Sequence, residues 1–328
     1  MKITIVGPGA MGCLLACFLS KSKEEIWLLD KNPERAQKIK EQGLKIEGIS
    51  GNWQVRASPA PSCAGSFSEV GRGGVNITSQ AKEIPQPQDL VIIAVKSYDT
   101  KNALKDIKSL LSESSLVLSL QNGLGNIEII SELVGQERVL GGITNQGATL
   151  LGPGWVRHAG KAETVIGRLD GRLPVELRFI RELFNKCGLE TRLSKDIKSL
   201  LWSKLIINVG INALTAITHL NNGKLIEFAG TRKILEEAVN EAVRVAKKKR
   251  IKLIYDDPLS KVEAVCEATA ANVSSMLQDI LRRKPTEIDF INGAIVRQAQ
   301  ALSLPTPVNS VLTNLIKTIE ASYSLRVS

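Results

Sequence analysis

Lys204, Asn208 and Asn212 stand at steps of four in Trp202–Ala216 (WSKLIINVGINALTA), a stretch that is otherwise mostly apolar. The surrounding run, from Leu200 to Ile217, reads as a buried helix. Four helical residues turn about 400°, so the three polar side chains form one slowly drifting stripe. An ammonium and two amides inside so apolar a helix must face a partner, water or a ligand, because burying them unpaired is costly. A second polar set, Asn272, Ser275 and Glu287, follows in Ser274–Ile295 (SSMLQDILRRKPTEIDFINGAI). A proton donor flanked by amides suits the chemistry of a polar carbonyl, and it needs elements that hold it and a reagent to work with.

The reagent is suggested at the N-terminus. Gly7, Gly9 and Gly12 in GPGAMG follow the β-branched run Lys2–Val6. This G-x-G-x-x-G spacing supplies a tight turn, a close approach to a pyrophosphate and close packing of the next helix. The start of that helix, Ala10, Met11 and Gly12, then faces the phosphates. Asp30 closes the next predicted strand about twenty residues on, where a carboxylate holds ribose hydroxyls. Lys31 and Arg35 beside it suit a 2′-phosphate instead, or are ordinary surface charge, so NADPH and NADH both stay open. Two more loops follow predicted strands. Lys96 lies in VKSYDT and Asn122 in QNGLG, and loops at the carboxyl ends of parallel strands line the ligand crevice. The plain alternatives are a solvated lysine and a turn-forming Asn-Gly.

Strands are expected at 2–6, 25–29, 90–95 and 116–120, with helices at about 10–21, 33–42 and 101–111. The alternation predicts an α/β domain of Rossmann type, a doubly wound parallel sheet. Short strands at 144–147, 156–158 and 164–167, a helix at 174–188 and a strand at 189–192 would close it. Beyond Asp196 long helical patterns dominate, at 197–220, 235–249, 260–281, 287–302 and 307–323. The expected division is therefore a dinucleotide-binding domain over 1–195 and an all-α domain over 196–328. The Ser/Gly/Pro-rich segment 57–74 reads as an exposed loop insertion without chemistry.

Composition narrows the classes. The 328 residues are 43% hydrophobic and 23% charged, as in a globular protein. The net charge is +10, yet the cations are spread out and aromatic residues make up only 4%, which argues against nucleic acid. Lys247–Arg250 (KKKR) reads as a cationic last turn of a helix, whereas Arg282–Lys284 (RRK) lies near Glu287 and could border a site for anions. Five scattered cysteines with no CxxC pair and only two histidines predict neither a disulfide framework nor a metal site; Cys13 and Cys17 read as small core residues. The longest apolar run carries Lys204 and two Asn and is read as a core helix, so no membrane span is expected. With no signal-peptide layout at the start, a cytoplasmic protein is expected.

The sequence resembles the ketopantoate reductase (2-dehydropantoate 2-reductase) family. The resemblance rests on GPGAMG at 7–12, AVKSYDT at 94–100, QNGLG at 121–125, HAGKAETVIG at 158–167, WSKLIINVGINALTA at 202–216, SSMLQDI at 274–280 and TEIDFINGAI at 286–295. These occur in the family's order across nearly the whole chain, and the two C-terminal motifs are the most specific. The resemblance implies reduction of ketopantoate to (R)-pantoate with NADPH, on the way to pantothenate and coenzyme A. It implies a Rossmann domain followed by an all-helical one. It casts Lys204 and Glu287 as catalytic, and Asn208, Asn212, Asn272 and Ser275 as substrate-contacting. Asn122 and Lys96 fall near nicotinamide and substrate. One departure bears on the cofactor: family members that use NADPH often carry Arg where this chain has Lys31, and Asp30 precedes it.

Hydride transfer to a ketone leaves negative charge on its oxygen, so a positioned acid is required. Lys204 is the one ionisable group in the stripe and is expected to be that acid, the alternative being a lysine reaching out from a helix edge. Glu287 follows Thr286 at an expected helix start, and Thr286 with Asp289 resembles a capping arrangement. Two other functions compete: a reductase of another 2-oxo acid, and a nucleotide-sensing protein without turnover. The partner expected is a small-molecule 2-oxo acid, and the apolar helices leave room for a homodimer.

Overall fold

The computed structural model describes residues 1–57 and 74–325. The interior of the loop expected at 57–74, with Cys63, lies outside the described residues. Two compact units emerge, one of Met1–Gln121 with Asn126–Ile197, the other of Asn122–Gly125 with Lys198–Ser328.

The first unit runs β1 (Lys2–Val6), α1 (Ala10–Leu19), β2 (Glu25–Leu29), α2 (Pro33–Gln42), β3 (Leu44–Gly48), β4 (Trp53–Val55), β5 (Val75–Thr78), β6 (Leu90–Ile93), α3 (Thr100–Ile107), β7 (Leu116–Ser119), α4 (Asn126–Val134), β8 (Val139–Thr144), β9 (Gly147–Gly152), β10 (Trp155–Gly160), β11 (Thr164–Arg168), α5 (Val175–Lys186) and β12 (Thr191–Leu193). Eight strands form the main sheet in the order β12-β11-β8-β7-β6-β1-β2-β5. Every pairing is parallel except β8 with β11. The chain winds outward from β1 through β2 to β5, then returns to β6 and winds the other way. The reversal lies between β1 and β6, so the loops after these two strands share the ligand end of the sheet.

The apolar runs that fill β1, β6 and β7 are buried, as a sheet covered on both faces requires. Cys13 and Cys17 of α1 are fully buried in the same core, and the four described cysteines are free thiols. A second sheet, β4-β3-β10-β9, lies beside it. There His158 is buried, with Nδ1 2.5 Å from Ser50 Oγ and Nε2 2.7 Å from Gln146 Oε1.

Several elements escaped the sequence pattern, β3, β5, β8 and α4 among them. β8 (VLGGIT) was expected to begin only at Thr144, because Gly141 and Gly142 look like a break; in the sheet a side chain at Gly142 would sit 2.5 Å from Leu120 Cδ2. α4 follows directly on QNGLG and was hidden by it.

The second unit holds α6 (Ile197–Thr218), α7 (Lys224–Glu227), α8 (Ala229–Lys248), α9 (Pro258–Ala268), α10 (Ser275–Leu281), α11 (Asn292–Gln300) and α12 (Pro307–Ala321). Leu205, Ile206, Val209 and Leu214 of α6 join a core with Leu235, Val239, Val262, Ile295 and Leu312. At Gly210 a side chain would meet Val262 Cγ1 at 2.9 Å and Val239 Cγ2 at 3.0 Å, so α6 packs against α8 and α9 at close range. α6 is long and apolar enough to cross a membrane (mean hydropathy 1.5), and 72% of its most apolar window is buried inside the protein, as in a core helix.

The helix expected at 260–281 is two. α9 ends at Ala268, and α10 begins at Ser275 with Ser274 as its N-cap, whose Oγ accepts from Leu277 N at 3.1 Å. The helix expected from Glu287 starts at Asn292, after a 3₁₀ turn over Ile288–Phe290.

Candidate active site

The cofactor loop is built by exclusion. Gly7 takes φ +101°, and a Cβ there would lie 2.7 Å from Val95 Cγ1; one at Gly12 would lie 2.0 Å from Gly7 O. Gly7 therefore lets β1 and the loop after β6 meet, and Gly12 lets α1 fold back under the turn. Gly9 differs, since its Cβ would find nothing nearer than 4.0 Å. The space over Gly9 is open, and no side chain caps the N-terminus of α1 that it begins. Open space against uncapped N–H groups of Ala10, Met11 and Gly12 is what a pyrophosphate requires. The residues present thus fit a dinucleotide.

Asp30 N donates to Thr78 O at 3.0 Å, which fixes the carboxylate at the tip of β2. Arg35 forks onto this carboxylate through Nε and Nη2, both at 2.6 Å. Lys31 reaches Asp99 instead, with Nζ 2.8 Å from both carboxylate oxygens. Lys96 is half-buried and opens the 3₁₀ turn Ser97–Asp99. That turn is held by groups the sequence did not single out. Gln121 donates to Val95 O at 2.9 Å and to Thr100 Oγ1 at 2.8 Å. Asn126 donates to Ser97 Oγ at 3.1 Å and accepts from Thr100 Oγ1 at 3.1 Å. Gln121 opens QNGLG and Asn126 follows it, and their amide side chains beside a strand end were the signal available.

In the helical unit, Lys204, Asn208 and Asn212 occupy one stripe of α6 as their spacing predicted. Asn212 is buried, whereas Lys204 and Asn208 keep some accessible surface. Burial pushes the Lys204 ammonium down to about 8, and the Glu287 carboxylate acts against this, favouring the charged form. Glu287 is itself 5% exposed. The two catalytic candidates, far apart in sequence, are therefore electrostatic partners.

The capping expected of Thr286 and Asp289 does not form. Thr286 Oγ1 accepts from Ile288 N at 3.2 Å, its N–H donates to Glu320, and Asp289 pairs with Lys317 at 2.9 Å. Asn122–Gly125 belongs to this unit. Leu124 N donates to Phe290 O at 2.9 Å, and a side chain at Gly123 (φ +83°) would strike that same carbonyl at 2.3 Å. The Asn122 loop is thereby fixed to the turn that carries Glu287.

Asn272 and Ser275 are not on one helix face. Asn272 lies in the link before α10, where its carbonyl accepts from Asn222 N at 3.1 Å, and Ser275 opens α10. Both are exposed, as are Arg282–Lys284. A helix cannot run through here because Ser274 takes the N-cap. Its hydroxyl also lies 2.6 Å from Thr215 Oγ1, three residues beyond Asn212, which ties the start of α10 to that end of the stripe.

A further buried assembly braces the stripe from behind. Glu241, 3% exposed, accepts from Val308 N and Asn309 N, each at 2.9 Å, and from Asn309 Nδ2 at 2.7 Å. Asn292 Nδ2 donates to Asn309 Oδ1 at 3.0 Å and to Val209 O of α6 at 3.2 Å.

Comparison with known proteins gives consistent matches over the whole chain. The family model described as ketopantoate reductase PanE/ApbA matches residues 3–171, and its C-terminal companion matches 196–320. The 2-dehydropantoate 2-reductase of Pyrococcus horikoshii is 36% identical over 321 residues, covering 98% of each chain. That of Halobacterium salinarum is 33% identical over 317 residues, covering 97% of this chain and 98% of its own. Among solved structures, a PanE/ApbA family ketopantoate reductase from Ralstonia eutropha superposes with TM-score 0.86 at 33% identity, over 99% of this chain and 100% of its own. D-mandelate dehydrogenase with NADH and anilino(oxo)acetate superposes with TM-score 0.85 at 29% identity, over 99% and 100%.

Proposed function

Since the chain belongs to the ketopantoate reductase family, we propose that it reduces 2-dehydropantoate to pantoate with NADPH, and that Lys204 delivers the proton. The observation that carries the assignment of Lys204 is its environment. Burial lowers its affinity for the proton to about pH 8 while Glu287 opposes complete loss. A donor tuned near the working pH combines a large protonated fraction with ready release.

NADPH, when bound, supplies the hydride to the carbonyl carbon of the substrate. The loop Gly7–Gly12 receives its pyrophosphate on the N-terminus of α1, and Asp30, Lys31 and Arg35 stand at its adenosine end. Lys96 and Asn122 act near nicotinamide and substrate. Before transfer the Lys204 ammonium polarises the carbonyl; as charge develops on oxygen, Nζ gives up its proton and the C–O bond becomes a hydroxyl. The neutral amine then takes a proton from water. Asn208 and Asn212 bind polar groups of the substrate without adding charge, and Glu287 accepts from a substrate hydroxyl. Asn272 and Ser275 sit further out, on the surface, where they meet the substrate only at its edge.

Loss of nicotinamide absorbance with 2-dehydropantoate, run with NADPH and with NADH, tests this reading. Rapid oxidation that Lys204→Ala abolishes supports it; normal turnover of that variant refutes the role of Lys204. The likeness to D-mandelate dehydrogenase at 29% identity favours one second reading, a retuned substrate pocket. A panel of 2-oxo acids, aromatic ones included, decides it by comparing kcat/KM.

A further inference from the structure

The acid at the end of β2 ordinarily argues for NADH, because a carboxylate there binds the ribose hydroxyls and repels a 2′-phosphate. In this chain that carboxylate is already engaged. Asp30 is 0% exposed, and both of its oxygens receive Arg35 at 2.6 Å in a bidentate fork. Asn32 N adds a third donor to Oδ1 at 3.0 Å.

The fork is prepared by the start of α2. Asn32 is the N-cap and its side chain accepts from Arg35 N at 2.9 Å, while Pro33 sets the first helical position. Arg35 is thereby fixed in the first turn, directly over Asp30. Its side chain is 37% exposed, and a guanidinium carries five N–H donors, of which the fork uses two. The remaining donors are available to an anion from the solvent side. Lys31 is 60% exposed and is shared with Asp99. Asp30 is thus matched to Arg35, and Asp99 to Lys31.

Building on the NADPH reading above, we propose that Arg35 sets the choice of cofactor: it neutralises Asp30 and presents its outer N–H groups to the 2′-phosphate, with Lys31 as the second cation. Removing Arg35 leaves a carboxylate facing the phosphate, so one substitution both deletes an attraction and creates a repulsion. Two unit charges about 5 Å apart near a surface interact strongly enough for an effect on the order of 10- to 100-fold in relative affinity.

The test uses the intact chain and two probes, 2′,5′-ADP and 5′-AMP, which represent the adenosine halves of the two cofactors. Calorimetric dissociation constants are measured for the parent, Arg35→Ala, Arg35→Lys, Lys31→Ala and the double variant Asp30→Asn/Arg35→Ala. The parent is expected to prefer 2′,5′-ADP. Arg35→Ala should lose about 10- to 100-fold of that preference, Arg35→Lys less, and the double variant should regain a substantial part because the repulsion is gone.

An Arg35→Ala protein with the parent's ratio, above all if Lys31→Ala abolishes it, overturns the proposal. So does a double variant no better than the single one. Melting temperatures identify any variant that fails to fold, and Arg35→Lys keeps the question open to decision in that case. If the binding ratios move as expected but neither cofactor supports turnover of 2-dehydropantoate, the proposal stands and the substrate reading falls.

Discussion

The sharpest consequence of the Lys204–Glu287 arrangement is a pH limb that one isosteric substitution should move. Two effects set the ammonium: burial, the larger, lowers its pKa, and the Glu287 carboxylate raises it, with the balance at about 8. Glu287→Gln keeps shape and hydrogen-bonding capacity but removes the charge, so only the lowering effect survives. A carboxylate close to a buried cation shifts it by about one to three pH units, which puts the variant between about 5 and 7. At pH 7.5 the parent is then about three-quarters protonated, and a variant titrating near 6.5 only about one-tenth. Activity that needs the proton on Lys204 should fall about eightfold at that pH and recover as the pH is lowered. The assay is kcat/KM for 2-dehydropantoate against pH at saturating NADPH, with the alkaline limb as readout. A loss of activity equal at every pH would leave Glu287 as a substrate contact without influence on Lys204. An unmoved alkaline limb would refute the electrostatic coupling itself.

Lys204→Ala should lower turnover by about 10²- to 10⁴-fold while NADPH binding, followed by fluorescence, stays within twofold or so of the parent. Gly9→Ala should keep the parent's melting temperature, since its Cβ finds open space, yet weaken NADPH binding by filling the pyrophosphate's place. Gly12→Ala, which strikes Gly7 O at 2.0 Å, should lower both stability and binding, and thermal melts beside cofactor titrations separate the two glycines. Glu241→Ala strands three N–H groups that now donate to a carboxylate, and urea unfolding should report a loss of about 3 kcal/mol or more.

The sequence disclosed elements wherever local chemistry was uniform. α2 begins at Pro33 after the cap Asn32 and ends at Gly43, and β1 and β2 were legible as apolar runs. It concealed them where one residue type serves two purposes. Gly141 and Gly142 look like a turn but sit mid-strand, where a side chain at Gly142 would meet Leu120 Cδ2 at 2.5 Å and Ile166 Cγ2 at 3.1 Å. Ser274 looks like one more polar helix residue but stops a helix by capping the next, and so it separates Asn272 from Ser275. The stripe of α6 could be read because helical spacing alone aligns it. The partnership of Lys204 with Glu287 could not, since it depends on folding across more than eighty residues, and neither could the occupation of Asp30 by Arg35. A side chain's type shows what chemistry it is capable of; only the fold shows whether that capacity is already taken up by a neighbour.

That distinction explains why the proposed pocket combines one ammonium with two neutral amides. A carboxylate at 208 or 212 would lie one or two turns from Lys204 on the same face and would raise its pKa as Glu287 does, pushing it back toward that of an ordinary lysine and making it a poorer donor. Without any carboxylate, burial would act alone and lower the pKa further. One acid placed on another element, together with amides that bind through hydrogen bonds alone, holds the donor between these limits. Asn212→Asp should therefore shift the alkaline limb of kcat/KM upward, opposite to Glu287→Gln. A limb that moves the same way in both variants would mean that Lys204 does not set it.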